Sequence, residues 1–212
     1  MEFIEAIQPY AGQPITKQIL LHLLKDYKRP IDKIHELVKA GKLESLKRGF
    51  FIPGKKLNIS APEPFLIANH LYGPSYVSFD SALAYWGMIP EKVSEFHSAT
   101  IAHYKIFRTP SGRFTYTHLP LPWYSYGIQQ VTLAINQNAL VASQEKALCD
   151  KIISTPGLQL RSPKQTAILL IDNLRIEKQA LKQINHHEIE KWVDYAPKKE
   201  SMHILIKTLK AL

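Results

Sequence analysis

Lys28, Arg29, Lys33, His35, Lys39, Lys47 and Arg48 crowd into one short stretch of this chain. Their side chains are of the kind that hold phosphate oxygens or reach base edges. From Lys25 to Lys56 ten basic residues stand against four acidic ones, a local excess of 10 − 4 = +6 in a chain whose formal net charge is +9. Such a balance favours polyanionic partners through long-range attraction and counterion release, although charge by itself fits any basic protein equally well.

A second polar constellation lies at Ser143-Gln144-Glu145-Lys146 with Asp150. Carboxylates and a lysine of this kind hold magnesium and activate water in nucleases, so a metal-dependent nuclease with Glu145 and Asp150 as ligands is one reading. The simpler reading is structural. Ser143 caps a helix, Glu145 favours its N-terminal dipole, and Lys146 with Asp150 forms an i, i+4 pair worth ~0.3 kcal/mol. Other chemistry has little support. The nine histidines are scattered, His186-His187 lacks the two-His spacing of a His-Glu-x-x-His zinc helix, and there is neither a Gly-rich phosphate loop nor a Gly-x-Ser-x-Gly turn. The single cysteine, Cys149, cannot form an internal disulfide and falls on an apolar helix face. No catalytic, cofactor-binding or metal-ligating residue is assigned, and the chain is expected to act by binding.

The elements that must position the basic stretch follow from its periodicity. Ile19, Leu20, Leu23 and Leu24 predict a helix over 15–27 with Thr16 as a possible cap, and Met1 to Pro9 supplies a candidate earlier helix. A further helix runs from Pro30 to Lys39, with proline tolerated in the first turn and Gly41 as terminator. Its apolar stripe is Ile31, Ile34, Leu37 and Val38, which leaves Arg29, Asp32, Lys33, His35, Glu36 and Lys39 outside. A carboxylate on a DNA-facing side is repelled unless it accepts from cytosine, so Asp32 and Glu36 serve either as readers or as solvated charges. Residues 43–46 and 50–52 then form a β-hairpin about Lys47-Arg48-Gly49. Helix, tight turn, helix and hairpin is the order of a winged helix-turn-helix, and also of an ordinary helical hairpin with a β-hairpin attached.

After a polar connection at 54–61, the pattern predicts a helix at 62–71, a short strand at Tyr76-Val77, and a helix from Phe79 to Trp86 capped by Ser78. Strands follow at 98–106, 114–118 and 131–135. From Ser143 to the C-terminus the pattern is helical, with Ser162-Pro163 opening a helix at 164–173. The expected architecture is α/β (α+β), with a winged helix-turn-helix at 1–56 and a mixed α/β domain with a helical C-terminal part at 62–212.

Three segments resemble AbiEi-family antitoxins of abortive-infection, type IV toxin-antitoxin systems. They are residues 37–43 with the wing-like Leu46-Lys47-Arg48-Gly49-Phe50-Phe51-Ile52-Pro53, the stretch 76–91 around Ser78-Phe79-Asp80-Ser81-Ala82-Leu83, and residues 142–150 around Glu145-Lys146-Ala147-Leu148. Together they span most of 15–155; the tail after about Leu158 has no part in the likeness. The resemblance implies a bacterial DNA-binding antitoxin that binds double-stranded DNA at its own promoter, represses a two-gene operon and counters a nucleotidyltransferase-like toxin without necessarily binding it. An ordinary regulator whose second domain senses a ligand or a partner is a further reading. With no secretory signal and no apolar run of ~20 residues, a cytoplasmic protein without membrane contact is expected.

Overall fold

In the computed structural model, which describes residues 3–91 and 94–212, the chain opens with helix α1 (Phe3–Ile7), continued by a 3-10 turn at Gln8–Tyr10. Met1 and Glu2, where the first predicted helix begins, lie outside the described residues. The next helix starts later than its periodicity suggests. Ile15–Thr16 form strand β1, and α2 occupies only Lys17–Leu23. Thr16 sets this boundary: its backbone is extended and its hydroxyl accepts from the Ile19 amide at 3.4 Å. Helix α3 covers Pro30–Lys39, as the sequence predicts, and β2 (Leu43–Lys47) pairs antiparallel with β3 (Phe50–Pro53) around the Arg48-Gly49 turn. β1 joins the far side of β3, giving a three-stranded sheet in the order β1-β3-β2.

This small sheet is shared between two cores. Ile15, Leu43 and Phe51 pack with Leu20, Leu24, Ile34 and Leu37 of the helices, while Leu46, Phe50 and Ile52 enter the core of the remaining chain. β3 is accordingly buried along its whole length. The unbroken run Phe50-Phe51-Ile52 is the sequence trace of a strand covered on both faces.

The remaining chain begins with α4 (Pro64–Leu71), β4 (Ser75–Val77) and α5 (Phe79–Tyr85). Five strands follow: β5 (Glu95–Thr100), β6 (Lys105–Thr109), β7 (Gly112–His118), β8 (Ile128–Ala134) and β9 (Gln137–Ala142). With β4 they make a mixed six-stranded sheet in the order β6-β7-β5-β4-β9-β8. The single strand expected over 98–106 is two strands, interrupted at residues 101–104, and β9 is an additional strand whose alternation ends in the buried Val141-Ala142. The chain closes with α6 (Gln144–Ser154), α7 (Pro163–Ile168), α8 (Lys178–Gln183), α9 (His186–Trp192) and α10 (Lys199–Ala211). Ser143 and Ser162 cap α6 and α7 as expected, and α7 runs on into one π-turn at Leu169–Asn173. Ser78 does not cap α5 with its side chain; its hydroxyl is turned to Asp150 of α6, to which it donates. The fold is thus mixed α+β, and among the described residues no helix is long and apolar enough to cross a membrane.

Both faces of the large sheet are covered. On one, Phe96 meets the Phe65 ring of α4 edge-on and the Tyr116 hydroxyl donates to the Ala68 carbonyl at 2.7 Å. On the other, Tyr76 reaches α6. The tips of two hairpins grip the N-terminal unit: Ser111, between β6 and β7, donates to the Glu44 carboxylate, and the Gln13 amide donates to the Asn136 carbonyl between β8 and β9 at 2.8 Å.

Candidate nucleic-acid interface

A groove of about 580 Å³ lies between α3 and the turn of the β2–β3 hairpin. Its rim is basic, formed by Lys17, His35, Lys39 and Arg48, and its floor is apolar, formed by Ile34, Val38 and Phe51. Helical spacing explains the first part: His35 and Lys39 are four residues apart, so they share one face of α3. The hairpin explains the second. Gly49 adopts φ 79, a conformation that costs most L residues strain, and its carbonyl accepts from the Lys17 amide at 2.9 Å. That bond fixes the Arg48-Gly49 turn against the start of α2, so Lys17 and Arg48 sit together on the rim.

Ile31 departs from the sequence expectation. It belongs to the predicted apolar stripe but is 48% exposed and lines the groove. Ile34 and Leu37 are the buried residues of α3, and the partly buried Val38 packs against the same core. Lys28 and Arg29 are exposed just before α3. Arg29 stands 3.7 Å from Asp32, and Lys33 donates to Glu36 at 2.8 Å, a bond that raises the Lys33 pKa. Asp32 is therefore paired with the cation just before α3, and Glu36 with one on α3 itself.

Lys47 does not share the groove with Arg48. Its ammonium donates to the Leu71 carbonyl at the end of α4, 2.5 Å away, and lies 5.4 Å from the Phe50 ring centre. Burial, assisted by the charge of Lys105, lowers its pKa. Lys47 ends β2 beside a register shift between Ser45 and Lys47, whereas Arg48 already belongs to the turn, so the two neighbours at the hairpin tip do not share a side. Of the basic residues expected to bind, Arg48, His35 and Lys39 converge on the groove, Lys28, Arg29 and Lys33 lie toward the N-terminal end of α3, and Lys47 is turned to the junction between the two cores. Lys17 was missed by sequence reasoning. Its only signal is the tight helix–hairpin arrangement that places an N-terminal helix residue beside the turn.

The second constellation is a buried ion pair. Lys146 and Asp150, both fully buried, are 2.9 Å apart. Asp150 also accepts from Trp123 Nε1 at 2.8 Å, the Tyr76 hydroxyl at 2.9 Å and the Ser78 hydroxyl at 2.8 Å. Lys146 donates to the Trp123 carbonyl at 2.8 Å and lies 3.9 Å from that ring's centre. Burial lowers the Lys146 pKa, Asp150 opposes that, and burial raises the pKa of Tyr76. Four donors fill the acceptor sites of Asp150. Glu145 points elsewhere and accepts from the Asn185 amide at 3.0 Å. The two carboxylates do not converge, and the surface pair expected from the i, i+4 spacing is instead the polar centre of the larger core. Cys149 is buried beside it, as its helix face suggests, and burial pushes its thiol pKa up.

One further group comes together that the spacing argument discounted: His186, His187 and Glu190 on α9 offer ligand atoms all within 4.8 Å of one another. The readable signal was a Glu three and four residues after a His pair, which a helix brings onto the same side.

No protein-family model matches the chain, and no curated protein matches it. Its fold is similar to that in the crystal structure of the RV2827C protein from Mycobacterium tuberculosis, with a TM-score of 0.64 at 13% sequence identity over 97% of this chain and 75% of that one.

Proposed function

We propose that the chain is a duplex-DNA-binding regulator whose N-terminal unit is a winged helix-turn-helix. In this reading α3 is the recognition helix, β2–β3 is the wing, and the protein acts by binding and not by catalysis. The supporting observation is the basic-rimmed groove between α3 and the Arg48-Gly49 turn. Arg48, Lys39 and Lys17 are placed to hold phosphate, His35 can reach a base edge, and exposed Ile31 suits contact with a thymine methyl group. Lys28 and Arg29 extend the phosphate contacts toward the helix N-terminus. The three-segment resemblance described above gives the reading its biological setting: an AbiEi-type antitoxin that represses its own toxin-antitoxin operon and counters a nucleotidyltransferase-like toxin. The four protein donors on Asp150 favour binding over the metal-dependent nuclease reading.

Titrating the full chain against a duplex from its own upstream region, with a scrambled duplex alongside, tests this directly. Tighter binding to the native duplex, with affinity falling steeply as salt rises, is the expected result. Failure to bind either duplex at low salt would overturn the reading. The antitoxin setting is tested separately, by whether the chain rescues cells expressing the neighbouring toxin gene.

A further inference from the structure

We propose that His186, His187 and Glu190 form a binding site for a divalent transition-metal ion of the zinc type. The three residues project from the start of α9, where Asn185 caps the helix by accepting from the His187 amide. His187 Nδ1 lies 3.0 Å from one oxygen of Glu190, and His186 Nδ1 lies 3.6 Å from the other. The second distance is beyond hydrogen-bond reach, and His186 Nδ1 is buried with no hydrogen-bond partner among the described residues. A desolvated ring nitrogen aimed at a carboxylate that it does not bond to is the observation that points to a ligand between them. Imidazole nitrogen and carboxylate oxygen are the donors zinc takes, at ~2.0–2.2 Å each, and ligand atoms already within 4.8 Å of one another need only a small closure to reach that geometry.

The structure also supplies a competitor. Lys210 of α10 donates to Glu190 from 2.7 Å, so its ammonium occupies the cation side of the carboxylate. Metal binding displaces this lysine and exchanges a link between α9 and α10 for one confined to α9. The proposal is independent of the DNA-binding reading, because the site lies on a different element from the groove.

The test uses the full-length chain without a histidine tag, titrated with Zn²⁺ by calorimetry and with Co²⁺ followed by its visible absorption. One saturable equivalent is expected. His186→Ala and His187→Ala should each weaken it by at least the about ten-fold that losing even an outer partner of a metal ligand costs. Lys210→Met should tighten binding about two- to five-fold, since it removes an exposed ion pair that competes for Glu190. That variant alters no ligand, so it decides the matter even where a histidine variant fails to fold. Absence of saturable binding, indifference to both histidine changes, or weaker binding in Lys210→Met would overturn the proposal.

Discussion

Helices α3 and α6 each carry a lysine and an acid one helical turn apart, and the two pairs have nearly the same length. Lys33–Glu36 is 2.8 Å long and its side chains are 31% and 65% exposed, whereas Lys146–Asp150 is 2.9 Å long and neither side chain is exposed. Distance therefore says little about what each pair does. On α3 the carboxylate competes with solvent for a cation that points outward. On α6 both charges have lost their water, and the structure around them must supply every missing bond. Trp123 does so for both partners at once, giving its indole N–H to Asp150 and its carbonyl to Lys146. The buried pair consequently ties α6 to the segment before β8, to β4 through Tyr76, and to the residue before α5 through Ser78.

The largest effect expected from breaking this contrast is at Asp150. Asp150→Ala leaves a buried ammonium and three orphaned donors, and should cost about 3–5 kcal/mol of unfolding free energy in a urea titration. Adding Lys146→Met should recover part of the loss, because the uncompensated charge disappears while the donors of Tyr76, Ser78 and Trp123 remain unpaired. A loss from Asp150→Ala no larger than that of an exposed ion pair would show that the network does not anchor α6.

A partly buried group in the same unit gives a pH signature. His97 stacks near Phe79 with ring centres 4.2 Å apart, bonds through Nε2 to the Thr117 hydroxyl at 2.8 Å, and is held by burial at a pKa of about 4. Because the folded pKa is depressed, the unfolded chain binds the proton more readily between the two values. The contribution is complete above about pH 6.5 and is lost as pH falls toward 4, for a total of about 3 kcal/mol. Unfolding measured across this window should show a slope that His97→Gln reduces. An unchanged slope would place the acid sensitivity elsewhere.

Sequence pattern revealed much of the frame and less of its interior. The extents of α3 and the hairpin and the caps at Thr16, Ser143 and Ser162 follow from local rules, since each depends on residues within one turn of itself. The destinations of Lys47 and Lys146 do not. Lys47 looks like any basic residue at a hairpin tip until α4 brings the Leu71 carbonyl beside it, and Lys146 looks like a surface lysine until Trp123 and Tyr76 arrive from elsewhere in the chain. Ile31 fails in the opposite direction, because periodicity assigns a face but not how far the core beneath it extends. The fully apolar Phe50-Phe51-Ile52 run was the one local hint that the two units share a sheet.

The next contrast separates adjacent residues. Arg48→Ala should weaken binding to native and scrambled duplexes alike and flatten the salt dependence by about one unit, the signature of one lost phosphate contact. Lys47→Met should leave that slope unchanged and instead lower stability by about 1 kcal/mol through loss of its bond to Leu71. The reverse pattern would mean that the hairpin presents its other side to DNA.

The smallest effect belongs to Glu36, and it returns to the exposed pair. If Glu36 is only a solvated partner of Lys33, Glu36→Gln removes a negative charge from the proposed DNA-facing helix and frees a lysine for phosphate. Unfolding should be unaffected, affinity for any duplex should rise modestly, and the salt dependence should steepen toward one further contact. If the carboxylate instead accepts from a cytosine amino group, the same change weakens binding to the native duplex while the scrambled one is bound as well or better, so discrimination falls. The exposed pair thus has a consequence for recognition that its small share in stability conceals, and parallel salt titrations of native and scrambled duplexes with the single variant distinguish the two roles. A response in neither affinity nor slope would place α3 outside the contact surface.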